Sequence, residues 1–349
     1  MLKKYWKQCM AGVMVAILTG CSQERPTEYE GWDLVWHDEF NKDGVPDSAF
    51  WSFEEGFVRN KELQWYQAGN AVCKDGVLII EGRKERIKNP DYDSESSSWR
   101  TNREFAEYTS ASIRTRGKQE FLYGRFEMRA KIPVVSGAWP AFWMLGTQNS
   151  WPSCGEIDIM EYYRIGGEPH ILANAAWGAK RGDVPEWNSA KLPYSKFTAK
   201  DIDWAGKFHI WRMDWDQEFI RLYLDDELLN EIPLSNTVNG SVGKFINPFK
   251  TPHFILLNLA MGGNGGEVNE DLLPMRYEID YVRVYQKKQE PYTAFHPGQI
   301  WEDTEGVHIN AHGGGVLYHN GTYYWYGEHK SEHTSSALVG VRVYSSTDL

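Results

Sequence analysis

From Arg125 to Ile132 charged and apolar residues alternate without a break. Arg125, Glu127, Arg129 and Lys131 take one parity; Phe126, Met128, Ala130 and Ile132 take the other. Successive side chains of a strand point to opposite faces, so this period-two pattern predicts a strand with one buried face. Shorter runs of the same kind, Gly76–Glu81, Phe219–Leu224 and Tyr277–Tyr285, are separated by clusters of Gly, Asn, Asp and Pro that favour turns. No long helical period follows the first twenty residues. The span 32–287 therefore predicts an all-β fold, two antiparallel sheets packed as a β-sandwich of jelly-roll type.

One predicted strand breaks the alternation with acids. In Cys154-Gly-Glu-Ile-Asp-Ile-Met-Glu-Tyr-Tyr163, Glu156, Asp158 and Glu161 are interleaved only with Ile157, Ile159 and Met160. Glu156 and Asp158 share a face by parity, whereas Glu161 falls on the other one. A β-bulge that loops out one residue at Ile159-Met160 returns Glu161 to the first face. The effective spacing is then four residues, roughly 13 Å between the two glutamate Cα atoms. Side chains leaning together can close the carboxyl gap to about 5–5.5 Å, the separation used by retaining glycosidases. Three acids on one face cannot all ionise cheaply, so at least one proton is retained near neutral pH. Sugars present flat C–H faces ringed by hydroxyls, which suits aromatic platforms with hydrogen-bonding neighbours. Trp139, Trp143 and Trp151 flank the acidic run, and Trp177 follows on the next one; these four are the candidate platforms, with a core role as the alternative for each.

The surrounding blocks resemble glycoside hydrolase family 16 of the β-bulge type. They are Val35-Trp-His-Asp-Glu-Phe-Asn41, Asn60-Lys-Glu-Leu-Gln-Trp-Tyr66, Tyr123-Gly-Arg-Phe-Glu-Met-Arg-Ala-Lys-Ile-Pro133, Gly137-Ala-Trp-Pro-Ala-Phe-Trp-Met-Leu145, Asn258-Leu-Ala-Met-Gly-Gly263 and Ile279-Asp-Tyr-Val-Arg-Val-Tyr285. The resemblance implies a jelly-roll sandwich with polysaccharide lying across a concave sheet. It implies Glu156 as nucleophile, Glu161 as acid/base, Asp158 as the assisting carboxylate and Asn60 as a sugar contact. No cofactor is required. Glu39, Gly82 and Asp280 resemble the ligands of a structural calcium, a hard cation suited to oxygen donors; a salt bridge or cap is the alternative for Asp280. Two positions depart from the β-1,3-glucanase pattern. Thr109-Ser-Ala-Ser-Ile113 puts Ser112 where those enzymes usually carry arginine, and Ala175-Ala176 stand where they tend to carry histidine. Both changes remove donors, which counts against a β-1,3-glucan; the resemblance of segment 298–349, given below, to enzymes acting on β-1,3-galactan turns the expectation toward β-1,3-linked galactan, with agar-like and mucin-type galactans also open.

The chain carries a net charge of −11, which disfavours nucleic acid as a partner. Lys3, Lys4 and Lys7 precede an apolar stretch, Ala11 to Leu18, too short to span a bilayer. It ends in Leu18-Thr-Gly-Cys21, which resembles the bacterial lipoprotein cleavage box. Residues 1–20 are therefore expected to be a signal peptide, Cys21 a lipidated membrane anchor and 21–31 a tether. The resulting address is the cell envelope, with the outer membrane favoured because Ser22 stands where aspartate would signal retention. Removal of the leader would carry the net charge from −11 to −14. An envelope compartment permits a disulfide between Cys73 and Cys154, and buried free thiols are the alternative.

Residues 288–297 read as a linker. Beyond them, Gly298-Gln-Ile-Trp-Glu-Asp-Thr304, Ile309-Asn-Ala-His-Gly-Gly-Gly-Val-Leu317 and Tyr318-His-Asn-Gly-Thr-Tyr-Tyr-Trp-Tyr-Gly327 resemble the opening blade of family 43 five-bladed propellers, especially those acting on β-1,3-galactan. Segment 298–349 is expected to be a truncated propeller piece, or else a small accessory hairpin turning at Asn320-Gly321. His308/His312 and His329/His333 are each four apart, but without a helix that spacing does not build a zinc site. The sequence thus predicts a retaining endo-acting glycosidase. Its rival is a surface glycan-binding lipoprotein with the same aromatics and no catalysis, which would have no reason to keep the bulged acids.

Overall fold

The computed structural model describes residues 28–181, 184–288, 300–304, 307–330 and 338–347. The expected signal peptide, Cys21, most of the tether and nearly all of the linker lie outside these residues. Two compact units divide at Lys287/Lys288.

The first unit is a two-sheet antiparallel sandwich of jelly-roll type. Its larger sheet has ten strands, among them Gly124–Lys131, His209–Trp215, Phe219–Leu224, Val77–Lys88 and Met275–Lys287. The run that alternates from Arg125 occupies its middle, between His209–Trp215 and Met275–Lys287. The smaller sheet has seven strands in the order Pro185–Pro193, Glu168–Gly178, Glu156–Ile165, Ala138–Gly146, His253–Met261, Ser112–Arg114 and Ser52–Phe53. Between the sheets lies one core. Phe126, Met128, Leu78, Ile80, Tyr277 and Trp211 come from the larger sheet, and Phe142, Met144, Ile157, Ile255 and Leu257 from the smaller.

The acidic strand crosses the smaller sheet near its centre, and its register explains the local sequence. Against Glu168–Gly178, Asp158 pairs Asn174 but Glu161 pairs Leu172, so one extra residue is inserted. On the other side Asp158 pairs Trp143 while Met160 already pairs Phe142. Ile159 and Met160 are both fully buried in the core, consecutive residues on one face. Burying each is worth about 1.5–3 kcal/mol, whereas regular alternation would drive the Glu161 carboxylate into the core, a far costlier burial. The bulge is the arrangement that satisfies both demands.

The second unit contains a three-stranded antiparallel sheet, His312–His319, Thr322–Lys330 and Leu338–Ser346. It is thus a meander rather than a lone hairpin. Its first turn has Asn320 at φ 49° and Gly321 at φ 81°, the left-handed pair of a type I′ turn. Cys73 and Cys154 are buried and free. Burial pushes the Cys154 thiol up to about 11 and the Cys73 thiol up to about 12. No helix among the described residues is long and apolar enough to cross a membrane.

Gly155 introduces the acidic strand at φ +82°, and a Cβ there would sit 2.8 Å from Pro248 Cβ and 3.2 Å from His253 Nε2. Gly155→Ala is expected to destabilise the unit by about 1–3 kcal/mol, read as a lower midpoint in thermal unfolding. An unchanged midpoint would show that the entry to the strand is not held in this conformation.

Candidate active site

Strand parity and register place the site residues. Trp139, Ala141, Trp143 and Leu145 alternate on the outer face of Ala138–Gly146, while Ala138, Phe142 and Met144 turn into the core. Directly opposed residues on neighbouring strands share a face. Glu156 lies between Leu145 and Ala176, Asp158 between Trp143 and Asn174, and Glu161 between Ala141 and Leu172. All three acids therefore line one open groove of about 1020 Å³ across the smaller sheet.

Their hydrogen bonds are specific. The Trp151 indole donates to Glu156 Oε2 at 2.5 Å, and the Trp139 indole donates to Glu161 Oε1 at 2.9 Å. Asn174 Nδ2 reaches both Asp158 Oδ2 and Glu161 Oε2 at 3.2 Å. Burial raises all three carboxyls above their ordinary range. Glu161 rises to about 7, first through burial and then through the nearby Glu156 charge, against the Trp139 hydrogen bond. Asp158, almost wholly buried, is held well above the usual carboxylate range, through burial and then the charges of Glu161 and Glu156. Glu156 is raised by burial while Trp151, Asp158 and Arg59 favour its ionised form. The site thus holds protons at neutral pH and hands the most stabilised negative charge to Glu156.

Of the candidate sugar contacts, Trp139, Trp143, Trp151 and Asn60 line the groove. Trp177 does not. It is buried in the core, edge-on to Phe249 with ring centroids 6.4 Å apart, within the roughly 4.5–7 Å typical of such pairs. The reason is parity: on Glu168–Gly178 the residues facing the groove are Asn174 and Ala176, so Ala173, Ala175 and Trp177 face inward. The polar Asn174 inside an otherwise apolar run was the signal for the correct face. The groove also recruits Trp187, Ser189 and Lys191 at period two on its edge strand, and Arg59, Trp99 and Arg100 from loops. The first three were legible as an alternation; the loop residues were not.

Residues 65–283 match Glycosyl hydrolases family 16. The chain belongs to glycoside hydrolase family 16. A β-glucanase of Rhodothermus marinus is 34% identical over 307 residues, covering 82% of this chain and 96% of that protein. The laminarinase catalytic domain of Thermotoga maritima superposes with a TM-score of 0.60 at 34% identity, covering 74% of this chain and 100% of that one. A structure from work on endo-acting O-glycanases that initiate mucin breakdown in the human gut microbiota gives 0.67 at 33% identity, covering 76% and 94%. As a family 16 member the protein is a glycoside hydrolase, and its chemistry needs no cofactor.

The calcium expected at Glu39, Gly82 and Asp280 does not fit this family 16 chain. Arg283 holds Glu39 through two bonds of 2.8 Å, and Arg129 pairs Asp280 at 2.5 Å. Gly82 packs against Met275 and Met261. Guanidiniums already neutralise both carboxylates, and no cluster of three or more His, Cys, Asp or Glu suited to a metal occurs among the described residues.

Glu161 is expected to titrate near pH 7, followed by carboxylate infrared difference spectra. Trp139→Phe removes a donor to the ionised form, so the midpoint should move upward. A midpoint at the ordinary glutamate value of about 4.3 would mean that the groove floor is hydrated and the acids are not coupled.

Proposed function

We propose that this hydrolase is retaining and endo-acting, with Glu156 as nucleophile and Glu161 as acid/base. The observation that carries the reading is the convergence of three proton-sharing carboxyls, through one bulge, on a groove that runs past them on both sides. Trp143, Asn60 and Trp99 flank the acidic strand on one side, and Trp187, Ser189 and Lys191 on the other. A polymer can therefore lie across the acids without ending there, which favours internal cleavage.

Ionised Glu156 attacks the anomeric carbon while protonated Glu161 gives its proton to the departing glycosidic oxygen. The bond to that oxygen breaks, the leaving chain departs as an alcohol, and a glycosyl ester on Glu156 remains. Glu161, now ionised, takes a proton from water; the hydroxide oxygen displaces Glu156 and restores both residues. Protonated Asp158 hydrogen-bonds Glu156, holding the nucleophile charged and aimed. Trp139, Trp143, Trp151 and Asn60 would contact the sugars.

For the substrate we propose a β-1,3-linked galactan. Support comes from the absence of the usual arginine at Ser112 and from the likeness to an endo-acting O-glycanase. The second reading, a β-1,3-glucan, is favoured by the β-glucanase and laminarinase relatives. The leader sequence supports export and lipid anchoring at Cys21 in the envelope. The blade-like motifs and the type I′ turn at Asn320-Gly321 support reading 298–349 as part of a propeller-type segment.

Glu156→Gln and Glu161→Gln are each expected to lower kcat by about 10³-fold or more with the fold retained. The panel is β-1,3-galactan, β-1,3-glucan, mixed-linkage glucan and agar-type polymer, with oligosaccharide ladders and products of retained anomeric configuration by proton NMR. Substantial turnover by either variant would remove the role assignment; single sugars alone would remove endo action.

A further inference from the structure

Ser112 sits in the same cross-sheet row as Glu161. The row runs Glu161, Ala141, Asn258, Ser112 across four adjacent strands. With strands about 4.8 Å apart, Ser112 lies roughly 14 Å from the Glu161 strand position. It belongs to the part of the groove where backbone sugars bind rather than where the bond breaks. Ser112 is fully buried and spends its hydroxyl on Glu54, donating to Oε2 at 2.7 Å. The side chain that reaches the groove here is instead Arg59, from a different part of the chain.

Arg59 is held firmly. Its Nη2 pairs with the same Glu54 oxygen that Ser112 bonds, and Arg114 takes the other oxygen at 3.1 Å. The guanidinium carbon lies 5.1 Å from the Trp143 ring centroid and 5.8 Å from that of Tyr66. Both rings belong to one network. Trp143 donates to Asn258 at 2.7 Å, and Asn258 donates to the Tyr66 hydroxyl at 3.1 Å. The next two residues, Asn60 and Lys61, are left-handed at φ 54° and 55°, turning the chain sharply so that Arg59 and Asn60 both line the groove.

Three features make this arginine a reader of substrate rather than a structural cation. It lines the groove with its side chain 19% exposed, although its charge partner Glu54 is buried. Its Nη1 is enclosed in the protein and finds no acceptor there, so Glu54 does not use up the donor capacity of the fork. It also covers Trp143, so part of an aromatic platform is exchanged for a planar fork of donors. The charge balance names the ligand class. Arg59 and Arg114 both pair with Glu54, and the Glu62 charge also acts on Arg59, so this guanidinium is already answered within the protein and does not require a charged substituent on its ligand. A neutral hydroxyl or ring oxygen is what the exposed part of this side chain fits.

We propose that Arg59 supplies the guanidinium that reads backbone hydroxyls in this groove, in place of the arginine that the glucanase pattern puts at Ser112, and that this relocation selects galactan over glucan. The proposal rests on the hydrolase reading above. Relocation changes the direction from which the donors approach, and hence which hydroxyl orientation they meet. An arginine at position 112 would add a third guanidinium to Glu54, which Arg59 and Arg114 already share, and this accounts for the small hydroxyl at Ser112.

The test uses the full chain and the variants Arg59→Asn, Arg59→Lys and Arg59→Asn/Ser112→Arg. kcat/KM is measured on β-1,3-galactan and β-1,3-glucan oligosaccharides at each variant's own pH optimum, with thermal unfolding as the check on folding. Arg59→Asn is expected to lower kcat/KM on galactan by about tenfold or more, chiefly through KM, as loss of a charged hydrogen bond predicts. Arg59→Lys keeps a cation for Glu54 but not the fork, so it should show the same preference loss in a folded protein even where the Asn variant unfolds. The double variant should swing the galactan-to-glucan ratio toward glucan by about tenfold. A ratio unchanged within about twofold in the folded Lys and double variants would overturn the proposal while leaving the hydrolase reading intact. A wild-type chain that cuts neither polymer nor the rest of the panel would instead sink the hydrolase reading, and this proposal with it.

Discussion

The burial of three carboxyls beside an apolar core is the constraint around which this protein is arranged. Carboxylates leave water only at high cost, and the cost falls when protons are retained and donors are fixed in place. One extra residue meets the requirement. Ile159 and Met160 both enter the core, and the acids that bracket them face the groove together. The two indoles, Trp139 and Trp151, then distinguish otherwise similar glutamates by donating to one each. Asn174 bridges the remaining pair from the next strand.

The same economy of means shapes the rest of the smaller sheet. Its inward parity is filled by Phe142, Met144, Ile157, Ile255 and Leu257, which fasten it to the larger sheet. That leaves the opposite parity free to carry chemistry over a rigid base, and a site built on strands is held more tightly than one built on loops. The loops contribute what strands cannot supply from their own register, a guanidinium and further aromatics approaching the groove from its rim.

Much of this was legible from residue order alone. Two consecutive apolar residues between acids demand a bulge, and the alternation at Arg125 to Ile132 marks a central strand. Trp177 was misjudged because its aromatic character outweighed its parity; counting from Asn174 puts it in the core. Glu39 and Asp280 were open to either metal or arginine, since a carboxylate shows no preference until its partner is known, and Arg283 and Arg129 come from distant positions or neighbouring strands. Arg59 could not be found by periodicity because it sits before a left-handed turn, and its partner Glu54 meets it only in the folded chain.

Cys73 and Cys154 carry a consequence for the chemical durability of the sandwich. Both thiols are buried, unpaired and far from ionising at neutral pH, and the thiolate is the form that reacts with oxidants and electrophiles. Once folded, the sandwich therefore keeps Cys73 and Cys154 out of reach of oxidants and electrophiles, and its stability does not lean on a cross-link between them.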